Sequence, residues 1–399
     1  MFSTALKLAY TCKLKYNSQM KKPRLILVNL LVFLVTASIA FVGVPIEGFM
    51  NGFDAVELFT CVFLIYFSGM SITAGYHRLW SHKSYEANSI VKVVFAIGGA
   101  MALQNSILHW ASDHRVHHKH VDDNDNDPYS AKRGFWFSHI GWMLREYQPK
   151  RYADYRNVKD LQRDPVVMWQ HKHYLWIMLF ANFGITGLLG WLNGDILGMI
   201  LIAGVLRLVV VHHVTFFINS LAHYWGRQPY TDVNTARDND ILAFFTFGEG
   251  YHNFHHIFEY DYRNGIKWWQ WDPTKWLIKS LSFIGFTKNL RRCSEERIEK
   301  AKLEMQLKRA KAKIAATSYS KLPNKEELVA KLQLEYDELI AKMNEFYLAK
   351  KHLMEMKRRA LLKTYEGIQI NYRYKELKAS LALKKDKWVT LCHYQLQYS

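Results

Sequence analysis

Cysteine is scarce in this chain. Cys12, Cys61, Cys293 and Cys392 are spread through 399 residues, and no two are spaced as Cys-x-x-Cys. That excludes a disulfide scaffold and a thiolate zinc module. Proline occurs eight times, and only Pro323 follows residue 273, so little interrupts helical runs in the final quarter. Acidic residues are outnumbered, 35 against 53 basic, which leaves a net charge of +18. A mainly disordered chain is excluded, because half the residues are hydrophobic and 15% are aromatic.

Charge itself is missing from long stretches. Leu25–Val44, Leu58–Gly75 and Tyr174–Leu192 carry none, and Ile196–Ile218 carries only Arg207. A membrane helix needs about 20 mostly apolar residues, so all four runs qualify. Val93–Leu103 has eleven residues, too few to span. The first run is longer than the apolar core of a cleaved signal peptide. Lys21, Lys22 and Arg24 precede it, and Arg78 and Lys83 follow the second run. The connections Pro45–Val56 and Asn193–Asp195 hold no Lys or Arg. Positive residues favour the cytoplasm. The expected fold is therefore all-α and integral to a membrane, either a bacterial inner membrane or the endoplasmic reticulum. Two hairpins make four spans, and both termini lie in the cytoplasm.

Eighteen histidines stand out against this background. His77 and His82 flank Arg-Leu-Trp-Ser at the end of the second run. His114, His117 and His118 form one His-x-x-His-His box, and His252, His255 and His256 form another. His223 follows the fourth run. On a helix, positions i, i+3 and i+4 share a face, so each box can converge on a metal. The step from His77 to His82 is about 140° off on an ideal α-helix, which suggests that the helix unwinds there. Nine histidines exceed the ligands one ion takes and imply two. No carboxylate or thiolate stands within the boxes, so an all-nitrogen di-iron site that activates O2 is the strongest candidate. His212 and His213 are candidates for supporting groups. His109, His120, His171, His173, His352 and His393 read as ordinary core or surface residues. If the first two boxes share one centre, Val93–Leu103 must not cross the membrane.

The segments Gly75-Tyr-His-Arg-Leu-Trp-Ser-His82, Asp113-His-Arg-Val-His-His118, Asn219/His223 and Gly248-Glu-Gly-Tyr-His-Asn-Phe-His-His256 together resemble the membrane fatty acyl-CoA desaturases of the stearoyl-CoA (Δ9) type. The likeness covers about residues 25–290. It implies four transmembrane helices under a cytoplasmic helical cap that holds two Fe2+ ions. By motif position the ligands are His77, His82, His114, His117, His118, His223, His252, His255 and His256, with Asn219 acting through water. The implied reaction uses O2 to remove two hydrogens from a saturated acyl chain, leaving a cis double bond. The acyl chain lies in a kinked tunnel, whose matching residues here are Gln104, Trp110 and Thr215, with Phe216 standing where a Trp is common. Asn105, Asp113 and Arg145 are the implied contacts to the substrate's carrier end. Ser112 and Glu146-Tyr147 replace basic groups that hold CoA in animal members, which leaves acyl-CoA, acyl-ACP and lipid-linked chains as possible carriers. No His-Pro-Gly-Gly haem motif occurs. Electrons are accordingly expected from a separate cytochrome b5, ferredoxin or flavin system.

Beyond residue 290 the likeness ends. From Lys288 onward there are 26 basic and 14 acidic residues. Helices are expected at Glu295–Ala315, Lys325–Leu362 and Tyr372–Leu383. An apolar stripe runs through Leu328, Leu332, Tyr336, Leu339, Met343 and Phe346, at coiled-coil spacing. Domains are expected at 1–290 and 291–399. The second contains no ligand cluster, so ending the chain near Cys293 should spare the reaction. Nucleic-acid binding is not indicated, since no recognition motif accompanies the charge. Two rival functions remain, a membrane di-iron hydroxylase of acyl chains or alkanes, and a metal transporter. A transporter would place its ligands at mid-membrane, whereas these lie at the ends of the runs.

Overall fold

The computed structural model describes residues 23–318 and 324–397. Cys12, Lys21, Lys22 and Pro323 lie outside them, as does the side chain of His393. Two compact units are distinguished. The first runs to Gly226 and includes Asn239–His252 and Tyr262–Leu290. The second takes in Arg227–Asp238, Asn253–Asp261 and the chain from Arg291 on.

The first unit is built on four helices long and apolar enough to cross a membrane: Leu27–Asn51, Ala55–Ser81, Tyr174–Asn193 and Ile196–Tyr224. They carry large exposed apolar side chains such as Phe41, Phe59 and Trp176, as expected for surfaces that face hydrocarbon. Each pair is joined by a short turn. Gly194 takes the left-handed conformation at the second turn, and the Asp195 carboxylate accepts from the Gly198 amide at 2.8 Å. Asn193 donates to Asp54 at 2.6 Å, tying the two turns together. Ser89–Met101 is a separate helix of thirteen residues, capped by Asn88. At 1.5 Å per residue it reaches about 20 Å, short of the roughly 30 Å hydrocarbon layer.

The second span does not unwind at its first histidine pair. Ser71–Ser81 widens into a π-helix, in which the His82 amide donates to the His77 carbonyl at 3.1 Å. A π-helix closes five-residue loops. The five-residue step that strays on an α-helix therefore stacks His82 beside His77, with ring centroids 4.8 Å apart. The second box lies on helix Ile107–His120, which begins at the Ser106 cap.

In the second unit, helices Glu295–Ala316, Lys325–Arg358 and Tyr365–Gln397 share one core. Leu303, Leu307, Ala310 and Ile314 meet Leu332, Tyr336, Leu339, Met343 and Phe346 there, with Leu377, Leu381 and Trp388 from the last helix. The apolar stripe is thus satisfied within the chain. Trp388 Nε1 donates to Gln306 at 2.8 Å.

Candidate metal centre

Two groups of imidazoles converge. The ring nitrogens of His77, His82, His114 and His118 lie within 4.8 Å of one another, and so do those of His117, His223 and His252. Adjacent helical positions send His117 and His118 to different groups. His252 opens the short helix His252–Ile257, which carries His255 and His256 three and four residues on.

The groups are built to expose one nitrogen of each ring. Glu249 Oε2 lies 2.9 Å from Nδ1 of His77, and Asp127 Oδ1 lies 2.9 Å from Nδ1 of His117. The Tyr129 hydroxyl is 3.2 Å from Nδ1 of His114. A proton held on Nδ1 by a carboxylate leaves Nε2 free to bind metal and fixes the ring. Nε2 of His82 and His114 stand 2.8 Å apart, and those of His252 and His223 stand 3.2 Å apart. Two nitrogens bound at right angles, each about 2.1 Å from one ion, would be about 3.0 Å apart. Burial, with repulsion from neighbouring imidazoles, holds His82, His114 and His252 well below the ordinary histidine value. At neutral pH they are neutral donors. Donor type, spacing and protonation state all fit a pair of transition-metal ions.

Glu249 has a second task. Its Oε1 accepts from Nε and NH2 of Arg78 at 3.2 and 2.8 Å. Arg78 also donates to the Tyr262 carbonyl at 2.8 Å and to Asp272 at 3.1 Å, and Asn264 donates to Glu249 at 2.7 Å. Burial alone would raise the Glu249 pKa, but His77 and Arg78 outweigh it and hold the group at about 2. Neither Glu249, Asp127 nor Tyr129 was singled out by sequence. Asp127 ends the acidic stretch Asp122–Asp127, whose composition reads as an exposed loop, yet Asp127 is 1% exposed.

Among the expected tunnel residues, three form a chain. Gln104 donates to Thr215 at 2.9 Å, and Trp110 Nε1 donates to Gln104 at 3.3 Å. The Trp110 ring stacks on His114 at 4.8 Å. Phe216 packs elsewhere, against Phe33, His139 and His212. The Asn105 amide donates to the Tyr174 hydroxyl at 3.0 Å. Asp113 is buried beside His109 and Arg151, and burial raises its pKa against the pull of Arg151. Arg145 donates to the Pro23 carbonyl at 2.9 Å. Ser112 is buried and donates to Asn157 at 2.8 Å. Asn219 ends the helix four residues before His223. His212 faces the Ala102 carbonyl and His213 faces His139, each at 3.0 Å.

Four helices apolar and long enough to cross a membrane, carrying two buried clusters of imidazoles oriented by carboxylates, define the class: a membrane protein with a polyhistidine site able to hold metal. The chain belongs to the fatty acid desaturase family, whose sequence profile matches residues 55–282. It is 42% identical over 284 residues to Acyl-CoA desaturase 1 of Saccharomyces cerevisiae, covering 69% of this chain and 55% of that one. Over 252 residues it is 46% identical to the probable acyl-CoA desaturase of Schizosaccharomyces pombe, with 63% and 52% covered. Stearoyl-CoA desaturase 5 of Homo sapiens is 35% identical over 251 residues, with 62% and 76% covered. The chain thus spans about half the length of the two yeast relatives it matches.

Proposed function

We propose that this chain is an O2-dependent desaturase that introduces a cis double bond, at the Δ9 position, into a saturated fatty acyl chain carried as its CoA thioester. The observation that carries this reading is the pair of imidazole groups whose Nδ1 atoms are tied to Glu249 and Asp127. In this proposal His255 and His256 are further ligands of the pair of ions, and Asn219 acts through water. Two iron ions bound there would supply O2 activation and removal of hydrogen from neighbouring methylenes. The protein's part is positioning. Glu249, Asp127 and Tyr129 hold their histidine rings in place. The Thr215–Gln104–Trp110 chain fixes the wall against which an apolar tail is set, since an unactivated methylene can be chosen only by position. Asn105 and Asp113 are proposed as contacts to the carrier end. The carrier is taken as CoA because the relatives bear acyl-CoA desaturase names. The site would face the cytoplasm, and a separate protein would deliver electrons.

The test is gas chromatography–mass spectrometry of fatty acids from cells expressing the chain, with derivatisation of double bonds. New cis-Δ9 monoenes support the reading. Hydroxylated chains without monoenes would replace it with a hydroxylase.

A further inference from the structure

We infer that the C-terminal helical extension is a positioning element for the third histidine box, an inference that rests on the metal site proposed above. Within the second unit, the extension and the box are linked by a relay of short contacts through residues 227–238. Asn253 and Phe254, which immediately precede His255, are fully or almost fully buried. The Asn253 side-chain Oδ1 accepts from the Tyr230 backbone amide at 2.9 Å, and its Nδ2 donates to the Thr231 and Ala236 carbonyls at 2.8 and 2.9 Å. Asp238 accepts from the Phe254 amide at 3.0 Å, and the Tyr230 ring packs on Phe254 and Phe258. The strap 227–238 therefore sets the backbone from which His255 and His256 project.

The first tail helix holds that strap. Lys308 donates to Asp232 at 2.6 Å, Arg309 donates to the Gln228 carbonyl, and the Lys302 ammonium lies 5.2 Å from the centre of the Tyr230 ring. At the far end of the box, the Cys293 amide donates to Asp261 at 2.8 Å and Arg297 donates to the Tyr260 hydroxyl at 3.1 Å. The surface ion pair would contribute little alone, but the helix is also buried on two sides. Leu303, Leu307, Ala310 and Ile314 face the core of the tail. Ile298, Ala301 and Met305 are buried as well and stand outside that core. At about 100° per residue these two sets lie on opposite sides of the helix. Arg297, Lys302, Lys308 and Arg309, the residues that reach the strap and Tyr260, flank the Ile298/Ala301/Met305 face. One face of the helix thus belongs to the tail, and the other is flanked by the side chains that hold the strap and Tyr260.

The experiment is a cobalt(II) titration of purified, chelator-stripped protein, reading ions bound per chain and their affinity. Three variants are compared with the full chain: one ending at Leu290, the double substitution Ala301→Glu/Met305→Glu, and the exposed-anchor triple Arg297→Ala/Lys308→Ala/Arg309→Ala. Supporting groups around metal ligands typically contribute about 10–100-fold in affinity. A loss in that range is expected for the first two variants and a smaller one for the third, with the membrane helices still inserted. A merely structural tail would lower yield or thermal stability while the folded fraction kept both ions at full affinity. That result in the truncation or the double variant overturns the inference. If neither folds, the triple variant decides by the same readout, with unchanged affinity overturning it. Should the full chain itself bind fewer than two ions, the metal reading fails rather than this one.

Discussion

Single residues carry most of what can be tested first. His117→Ala should abolish desaturation and lower bound iron while the protein still enters membranes, and His255→Ala should do the same. Full activity in either variant would exclude that residue as a ligand. Glu249→Gln keeps the shape but removes the negative charge that serves both His77 and Arg78. Metal affinity should fall by about 10–100-fold, measured by competition with a chelator. Glu249 also predicts a pH effect. Its folded pKa, about 2, lies below the ordinary 4.5. The stability it contributes is therefore complete above 4.5 and is lost as pH falls from there through about 2. In the Gln variant the unfolding free energy should change less with pH across that window, and an unaltered acid limb would show that Glu249 is not held ionised. His117 could be picked out from sequence because the helical spacing of its box is local, and His77 by its place in the desaturase-like segment. Glu249 and Asp127 could not be given their roles, because each meets its histidine only through tertiary folding.

At the scale of elements, the spans were legible because a run without charge must find an apolar surrounding. The π-helical turn was not, since nothing in the composition of Ser71–Ser81 distinguishes i→i+5 from i→i+4 bonding. Only the awkward five-residue histidine step hinted at irregular geometry. Inserting one alanine after Leu79 lengthens the step to six residues, which stacks on neither an α- nor a π-helix, and should remove His82 or His77 from its group, seen as loss of one bound ion. The last tail helix also began earlier than expected, at Tyr365 rather than Tyr372. Gly367 lies in the helix's first turn, where an added Cβ would sit 2.2 Å from the Leu361 carbonyl oxygen. That glycine permits close approach of the preceding turn. Cysteine labelling should place positions near Lys83, Asp122, Gln162 and Lys288 on one side, and Glu47 and Asn193 on the other. Opposite placement of Lys83 and Asp122 would mean that Ser89–Met101 crosses.

For the whole molecule, the net charge of +18 concentrates toward the tail, and charge of one sign steers partners of the other. Turnover driven by an acidic protein donor should slow as salt rises, whereas turnover with a small neutral reductant should not. Equal salt dependence with both would argue against electrostatic docking. The contacts that orient the histidines have a further consequence. Glu249, Asp127 and Tyr129 each sit at one ring nitrogen of a histidine, so the protein fixes which nitrogens face an ion but not which ion arrives. Neutral nitrogen donors favour the later divalent ions over ferrous iron, copper(II) above all. An all-imidazole donor set contains no ligand type that refuses them. Correct metallation would then be decided by which ions the cell keeps available where the protein is made, and overexpression in copper- or zinc-rich medium should yield folded, mismetallated and inactive protein.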